Sequence, residues 1–170
     1  MPRPGRALRE AAVLVALVER PSELTVILTR RADTLANHSG QVAFPGGRID
    51  PGETAVQAAL REAQEEVGLD PRFVRPAGLG DPHETGTGYR ITPVVGFVSP
   101  GFALAASEAE VAEVFEPPFA WLMNAANFQE QERALPGGVA RRFYAAPWQG
   151  RFIWGATAGI LRRLQQRLFA

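Results

Sequence analysis

The sequence predicts an α+β fold in which a mixed β-sheet lies between helices. Three observations carry that prediction. Short β-rich runs alternate irregularly with amphipathic helical stretches, the pattern of a mixed sheet covered by helices. The chain has 170 residues, 46% of them apolar, enough to bury a core without covalent staples. No internal repeat and no linker-like stretch divides it, so residues 1–170 are expected to form one domain.

Residues 11–18 form a valine-rich apolar run closed by Glu19 and Arg20. Basic residues precede it, but the run is short and lacks a cleavage-type ending, so it reads as a buried strand rather than a secretion signal. A second β-rich run, residues 25–29, follows Arg20-Pro21-Ser22-Glu23 at the spacing of a hairpin or short crossover, and Arg30 and Arg31 close it. Residues 32–41 are polar and irregular. Residues 42–44 make a short strand that stops at Pro45-Gly46-Gly47. From residue 53 to 67 the pattern turns helical: Val56, Leu60, Ala63 and Val67 fall on one apolar stripe, and Gly68 stands where a C-terminal cap is expected. Residues 74–79 and 91–98 read as strands around the turn-rich DPHETGTGYR. Residues 111–121 read as a helix interrupted by Pro117 and Pro118. Residues 133–135 and 141–145 flank Pro136-Gly137-Gly138 as a hairpin, residues 152–154 form a short strand, and residues 156–168 form a terminal helix with Ile160, Leu161, Leu164 and Leu168 on one side.

Composition narrows the functions. Lys plus Arg and Asp plus Glu both number 18, so no global field draws nucleic acid or an anionic membrane, and no aromatic-and-basic stripe suggests nucleic acid either. No apolar run approaches a membrane span. The absence of cysteine removes disulfides, thiolate nucleophiles and cysteine-ligated zinc. A cytoplasmic protein is expected; whether monomer or homodimer is left open.

One helix sets the chemistry. Glu62, Glu65 and Glu66 lie at i, i+3 and i+4, which places them on one face with Cβ atoms about 5–6 Å apart, each pair repelling by a few tenths of a kcal/mol even when solvated. Such a face is often merely solvated. The surroundings argue for more: Gly46 and Gly47 let backbone approach a ligand, Pro51-Gly52 makes a turn, and Glu53 lies eight residues before Arg61, within reach of a pair. Clustered carboxylate oxygens suit Mg²⁺ or Mn²⁺, which share their coordination with substrate phosphates.

Gly47, Glu53, Arg61, Glu62, Ala63, Glu65, Glu66, Gly68 and Leu69 resemble the Nudix box, G-x5-E-x7-R-E-U-x-E-E-x-G-U, where U is bulky and aliphatic. Only Ala63 departs from it. The resemblance implies an α/β/α sandwich and hydrolysis of a nucleoside diphosphate linked to another group. It also implies that Glu62, Glu65 and Glu66 bind the metal, that Arg61 and Glu53 brace the loop-helix junction, and that Gly47 gives the turn and a carbonyl to the metal. The general base lies either on the box helix or on a later loop. Glu108, Glu110 and Glu113 are the candidates outside the box, with Glu110 favoured.

Upstream, ILTRRADTLANHSGQVAFPGG (residues 27–47) resembles the signature of the coenzyme A pyrophosphatase branch, roughly L-L-T-x-R-(S/A)-x3-R-x3-G-x3-F-P-G-G. Leu28, Thr29, Arg31, Ala32, Gly40, Phe44, Pro45, Gly46 and Gly47 match, Ile27 is a mild variation, and Ala36 replaces an expected arginine. Residues 88–97 and 146–161 resemble the same branch. The implied reaction splits coenzyme A into 4′-phosphopantetheine and 3′,5′-adenosine bisphosphate. The alternatives are the same chemistry on NADH, ADP-ribose or an oxidised nucleoside triphosphate, which Ala36 keeps open, and a non-catalytic nucleotide-binding domain. Candidate contacts to this small nucleotide are Arg30, Arg31, His38, Gln41, Phe44 and Gly46. Each has a structural alternative: His38 as a loop residue, Gln41 as an exposed strand start, Phe44 as core. His83 is the other histidine, in a different loop, which makes His38 a poor metal ligand.

Overall fold

A computed structural model describes residues 5, 7–34 and 40–169. Twelve strands and three α-helices follow in the order β1 Arg9–Glu19, β2 Leu24–Val26, β3 Leu28–Arg31, β4 Val42–Ala43, β5 Gly46–Arg48, α1 Ala55–Val67, β6 Val74–Leu79, β7 His83–Glu84, β8 Tyr89–Val98, β9 Val111–Phe115, α2 Phe119–Leu122, β10 Gln129–Ala134, β11 Ala140–Trp148, β12 Arg151–Trp154 and α3 Gly155–Phe169.

The central sheet runs β2-β1-β8-β6, with β5 added to β1 and β7 to β8. It is mixed: β1 and β8 are parallel from Arg9↔Tyr89 to Val18↔Val98, while β2, β5 and β6 pair antiparallel. Side chains alternate across a strand, and β1 shows why its sequence is apolar from Ala11 to Val18. Its even positions, Ala12, Leu14, Ala16 and Val18, pack in one core with Ala58, Ala59, Ala63 and Val67 of α1. Its odd positions Val15 and Leu17 pack in another with Ile160, Leu161 and Leu164 of α3. The result is the expected sandwich of a mixed sheet between helices. Two smaller sheets, β4-β3-β9 and β10-β11-β12, complete the fold.

Several local expectations need correction. The run 25–29 is two strands, not one: β2 pairs with β1, whereas β3 joins β4 and β9, and the fully buried Ile27 lies at the changeover. Residues 111–121 are not one helix. Val111, Val114 and Phe115 belong to β9, paired with β3, and only the single turn of α2 follows Pro117-Pro118. The charged positions mimic a helical period, but β-branched and aromatic residues facing a partner strand prevail. Gly46 and Gly47 are strand residues of β5, not a turn. On α1 the fully covered stripe is Ala58, Ala59, Ala63, Glu66 and Val67, with Val56 and Leu60 at its margin. Leu168 is 56% exposed rather than packed with Leu164.

Candidate active site

Helix α1 is fixed at both ends. Thr54 caps its start: its Oγ1 accepts from the Gln57 backbone N–H (3.1 Å) while the Thr54 N–H donates to Gln57 Oε1 (2.9 Å), a reciprocal capping box. Gly68 ends it with φ of +70° and donates to the Ala63 and Gln64 carbonyls. A Cβ on Gly68 would also stand 3.0 Å from the Ala105 N, because residues 105–107 lie across the helix end, where the Ala105 and Ser107 N–H groups donate to the Val67 and Glu66 carbonyls at 2.8 Å each. That crossing carries the chain to Glu110.

Arg61 is the brace. Its Nε and Nη2 grip the two oxygens of Glu53 at 2.8 and 3.0 Å, and Nη2 also donates to the Arg48 carbonyl at 3.0 Å. Nη1 donates to Glu62 Oε1 (3.0 Å) and Glu65 Oε1 (3.3 Å), and Asp50 lies 3.4 Å away. Glu53 is lowered to about 2, first by the Arg61 hydrogen bonds and then by the Asp50 backbone. The sequence singled out this pair; it missed Asp50 and the Arg48 carbonyl, since backbone acceptors leave no residue-type signature.

The glutamates differ in environment. Glu65 is exposed, Glu62 half-covered and Glu66 only 7% exposed. Burial, then the Glu62 charge, pushes Glu66 up to about 8; a hydrogen bond from the Gly46 backbone, and more weakly the Arg31 charge, oppose this, while Glu110 adds to it. Glu62 is raised by burial against the Arg61 hydrogen bond, with Glu65 and Glu110 adding repulsion. Glu110 therefore lies near enough for its charge to act on Glu62 and Glu66. Glu113 does not share that role: it pairs with Arg151 and Arg30. Arg31 lies close enough to act on Glu66, and its Nε is buried with no hydrogen-bond partner among the described residues.

The two glycines of β5 serve close approach. A Cβ on Gly46 would fall 2.4 Å from the Ala12 carbonyl oxygen, and one on Gly47 would fall 2.5 Å from Glu62 Oε1. Gly47 thus leaves a cradle beside a carboxylate. Phe44, a candidate contact just past the end of β4, is 3% exposed and packs in the core with α3. Gln41 is half-buried at the start of β4. His38 and Ala36 lie outside the described residues.

Among the described residues no three acidic or histidine groups form a preassembled cation cage, since Arg61 draws Glu62 and Glu65 toward itself. The donor chemistry nonetheless suits a hard divalent cation: carboxylate oxygens on one helix face, one of them buried against its own ionisation, beside a glycine cradle. No described helix is long and apolar enough to cross a membrane.

A family profile described as the NUDIX domain matches residues 8–137. The chain is 44% identical over 165 residues to the "Uncharacterized Nudix hydrolase NudL" of Cronobacter sakazakii, covering 96% of this chain and 85% of that one. It is 40% identical over 171 residues to the protein of the same name from Yersinia enterocolitica, covering 98% and 87%. Among solved structures, the NUDIX domain of Shewanella oneidensis NrtR, complexed with ADP ribose, superposes with a TM-score of 0.58 at 18% identity over 96% of this chain and 90% of that one. A C. elegans Ap4A hydrolase binary complex gives 0.57 at 19% identity over 65% and 80%.

Proposed function

The chain belongs to the NUDIX domain family and is a pyrophosphohydrolase of nucleotide derivatives, and from that premise we propose that its substrate is coenzyme A or a derivative, cleaved to 4′-phosphopantetheine and 3′,5′-adenosine bisphosphate. The observation that carries the chemistry is the buried Glu66 beside Glu62, acted on by the charges of Glu110, in the turn before β9, and of Arg31. The observation that favours coenzyme A is residues 27–47, whose Leu28, Thr29, Arg31, Ala32, Gly40 and Phe44-Pro45-Gly46-Gly47 fit that branch.

In this reading Glu62, Glu65 and Glu66 would hold Mg²⁺ or Mn²⁺, with the Gly47 carbonyl as a further oxygen donor, and there the cation would supply neutralisation of diphosphate oxygens and of charge on the departing phosphate. The chain does the rest. Glu53 and Arg61 fix the helix against β5, so that the carboxylates keep their spacing. A carboxylate oxygen of Glu110 takes the proton from a water aimed at phosphorus. Water oxygen forms the new P–O bond, the bond to the bridging oxygen breaks, and each half leaves as a phosphate. Arg31 offers its Nε, which has no partner among the described residues, to a phosphate oxygen as charge accumulates there. Arg30, His38, Gln41 and the Gly46 backbone supply further substrate contacts. The two cores that share β1 support reading residues 1–170 as one domain.

Ala36 favours a second reading. Without the arginine expected there, a diphosphate lacking the 3′-phosphate, such as NADH or ADP-ribose, or an oxidised nucleoside triphosphate, is handled by the same machinery. A silent binding domain fits less well, because every box glutamate is present. The test is chromatography of products from coenzyme A, NADH, ADP-ribose and 8-oxo-dGTP with Mg²⁺ or Mn²⁺, with Glu66→Gln alongside. Adenosine bisphosphate from coenzyme A supports the first reading; turnover of another compound transfers the assignment to it.

A further inference from the structure

Arg151 lies in β12, beyond the residues matched to the family, and no step above uses it. Its guanidinium is held on every side. It sits 4.5 Å over the Phe115 ring and 5.3 Å from that of Trp148, two rings stacked at 5.9 Å. Its Nη1 donates to the Gln149 carbonyl at 3.3 Å, and its Nε (3.0 Å) and Nη2 both donate to Glu113 Oε1.

Glu113 therefore stands between two guanidinium groups and divides itself unequally. Oε1 is taken by Arg151; Oε2 faces Arg30 Nε at 3.7 Å, beyond hydrogen-bond length. The other acid near Arg30 is the exposed Asp33, also loose at 3.6 Å. Arg30 is oriented by these charges, and among the described residues neither contact closes to a hydrogen bond. Its place is next to the site: Arg30 pairs with Glu113 across β3 and β9, and Arg31, one residue on, pairs with Val111 beside Glu110.

We propose that Arg151 is a positioning residue that occupies Glu113 and so keeps Arg30 available to a phosphate group of the substrate. This rests on reading the neighbouring carboxylate face as a diphosphate site. Without Arg151, Glu113 has one cation left and draws Arg30 into a two-pronged pair, which removes its donors from the ligand. Neutralising Glu113 releases Arg30 whether or not Arg151 is present. A merely structural Arg151 would behave differently, since the double variant would be no better than the single one.

The test is calorimetric titration of methylenediphosphonate with Mg²⁺ into wild type, Arg151→Ala, Glu113→Gln and the double variant. Melting temperatures confirm that each is folded, and Arg151→Lys serves as a milder replacement. Loss of one charge-assisted contact predicts a Kd about tenfold higher for Arg151→Ala. Glu113→Gln should bind as well as wild type or better, the double variant should bind within about twofold of Glu113→Gln, and Arg151→Lys should lie between wild type and Arg151→Ala. An unchanged Kd in Arg151→Ala, a double variant as weak as Arg151→Ala, or no binding to wild type would each overturn the proposal. Turnover of the nucleotide panel by wild type judges the catalytic reading separately.

Discussion

Replacing Glu66 with Gln should stabilise the metal-free protein while abolishing its activity. In the folded chain the Glu66 carboxyl is raised from its ordinary 4.5 to about 8, first by burial and then by Glu62. The sign follows from proton binding: between those two values the folded state holds a proton that the unfolded state has released, so stability is fully present below about 4.5 and is lost as pH rises through about 8. At 1.36 kcal/mol per pH unit that gap sets a ceiling of about 5 kcal/mol. Water entry and side-chain relaxation reduce the net effect to about 2 kcal/mol, or roughly 4–8 °C for a chain of this size. Urea melts in EDTA at pH 5, 6, 7 and 8 measure it directly. Wild type should lose about 2 kcal/mol more than Glu66→Gln between pH 5 and 8, and a divalent cation should restore wild type but not the variant. Parallel pH profiles for the two proteins would refute the claim that Glu66 is buried against its own charge.

Other perturbations separate fold from chemistry. Gly46→Ala drives a Cβ to 2.4 Å from a backbone oxygen of β1, so it should cost about 1–3 kcal/mol or prevent folding, visible in the thermal melt. Gly47→Ala meets first the movable Glu62 carboxylate; the melt should change little while metal-dependent kcat falls about a hundredfold. Gly68→Ala combines a left-handed backbone with the close Ala105 contact and should lower stability by about 1–2 kcal/mol in urea. Glu110→Gln should lower kcat by two or more orders of magnitude with KM nearly unchanged, whereas Glu113→Gln should keep kcat; the reverse pattern in steady-state assays would move the general base to Glu113.

The sequence was most informative where one position answers to one physical demand. The valine run of β1 announced a buried strand, and Gly68 marked the C-terminal end of α1, whereas the Thr54 cap at its start went unread. Glu53 and Arg61 could be paired from spacing alone. The errors arose where distant partners decide. Glu110, Glu113 and Glu116 recur at helical spacing through and around β9, yet β3 beside it makes it a strand, and nothing local in residues 111–115 says that a partner strand is waiting. Gly46 and Gly47 look like turn residues, but their need for a missing Cβ comes from β1 and from Glu62, remote in sequence. Phe44 belongs to a motif and still points into the core. Arg151 carried no signal at all, because its partner Glu113 is 38 residues away in another sheet.

In the proposed mechanism the face of Glu62, Glu65 and Glu66 binds a catalytic divalent cation. Titration with Mn²⁺, followed by electron paramagnetic resonance of the free ion, tests it most directly, comparing wild type with Glu65→Gln and Glu66→Gln. Wild type should bind saturably and each variant at least tenfold more weakly, with activity on the nucleotide panel lost in step. Binding of equal strength in all three proteins, or hydrolysis that persists in EDTA, would contradict it.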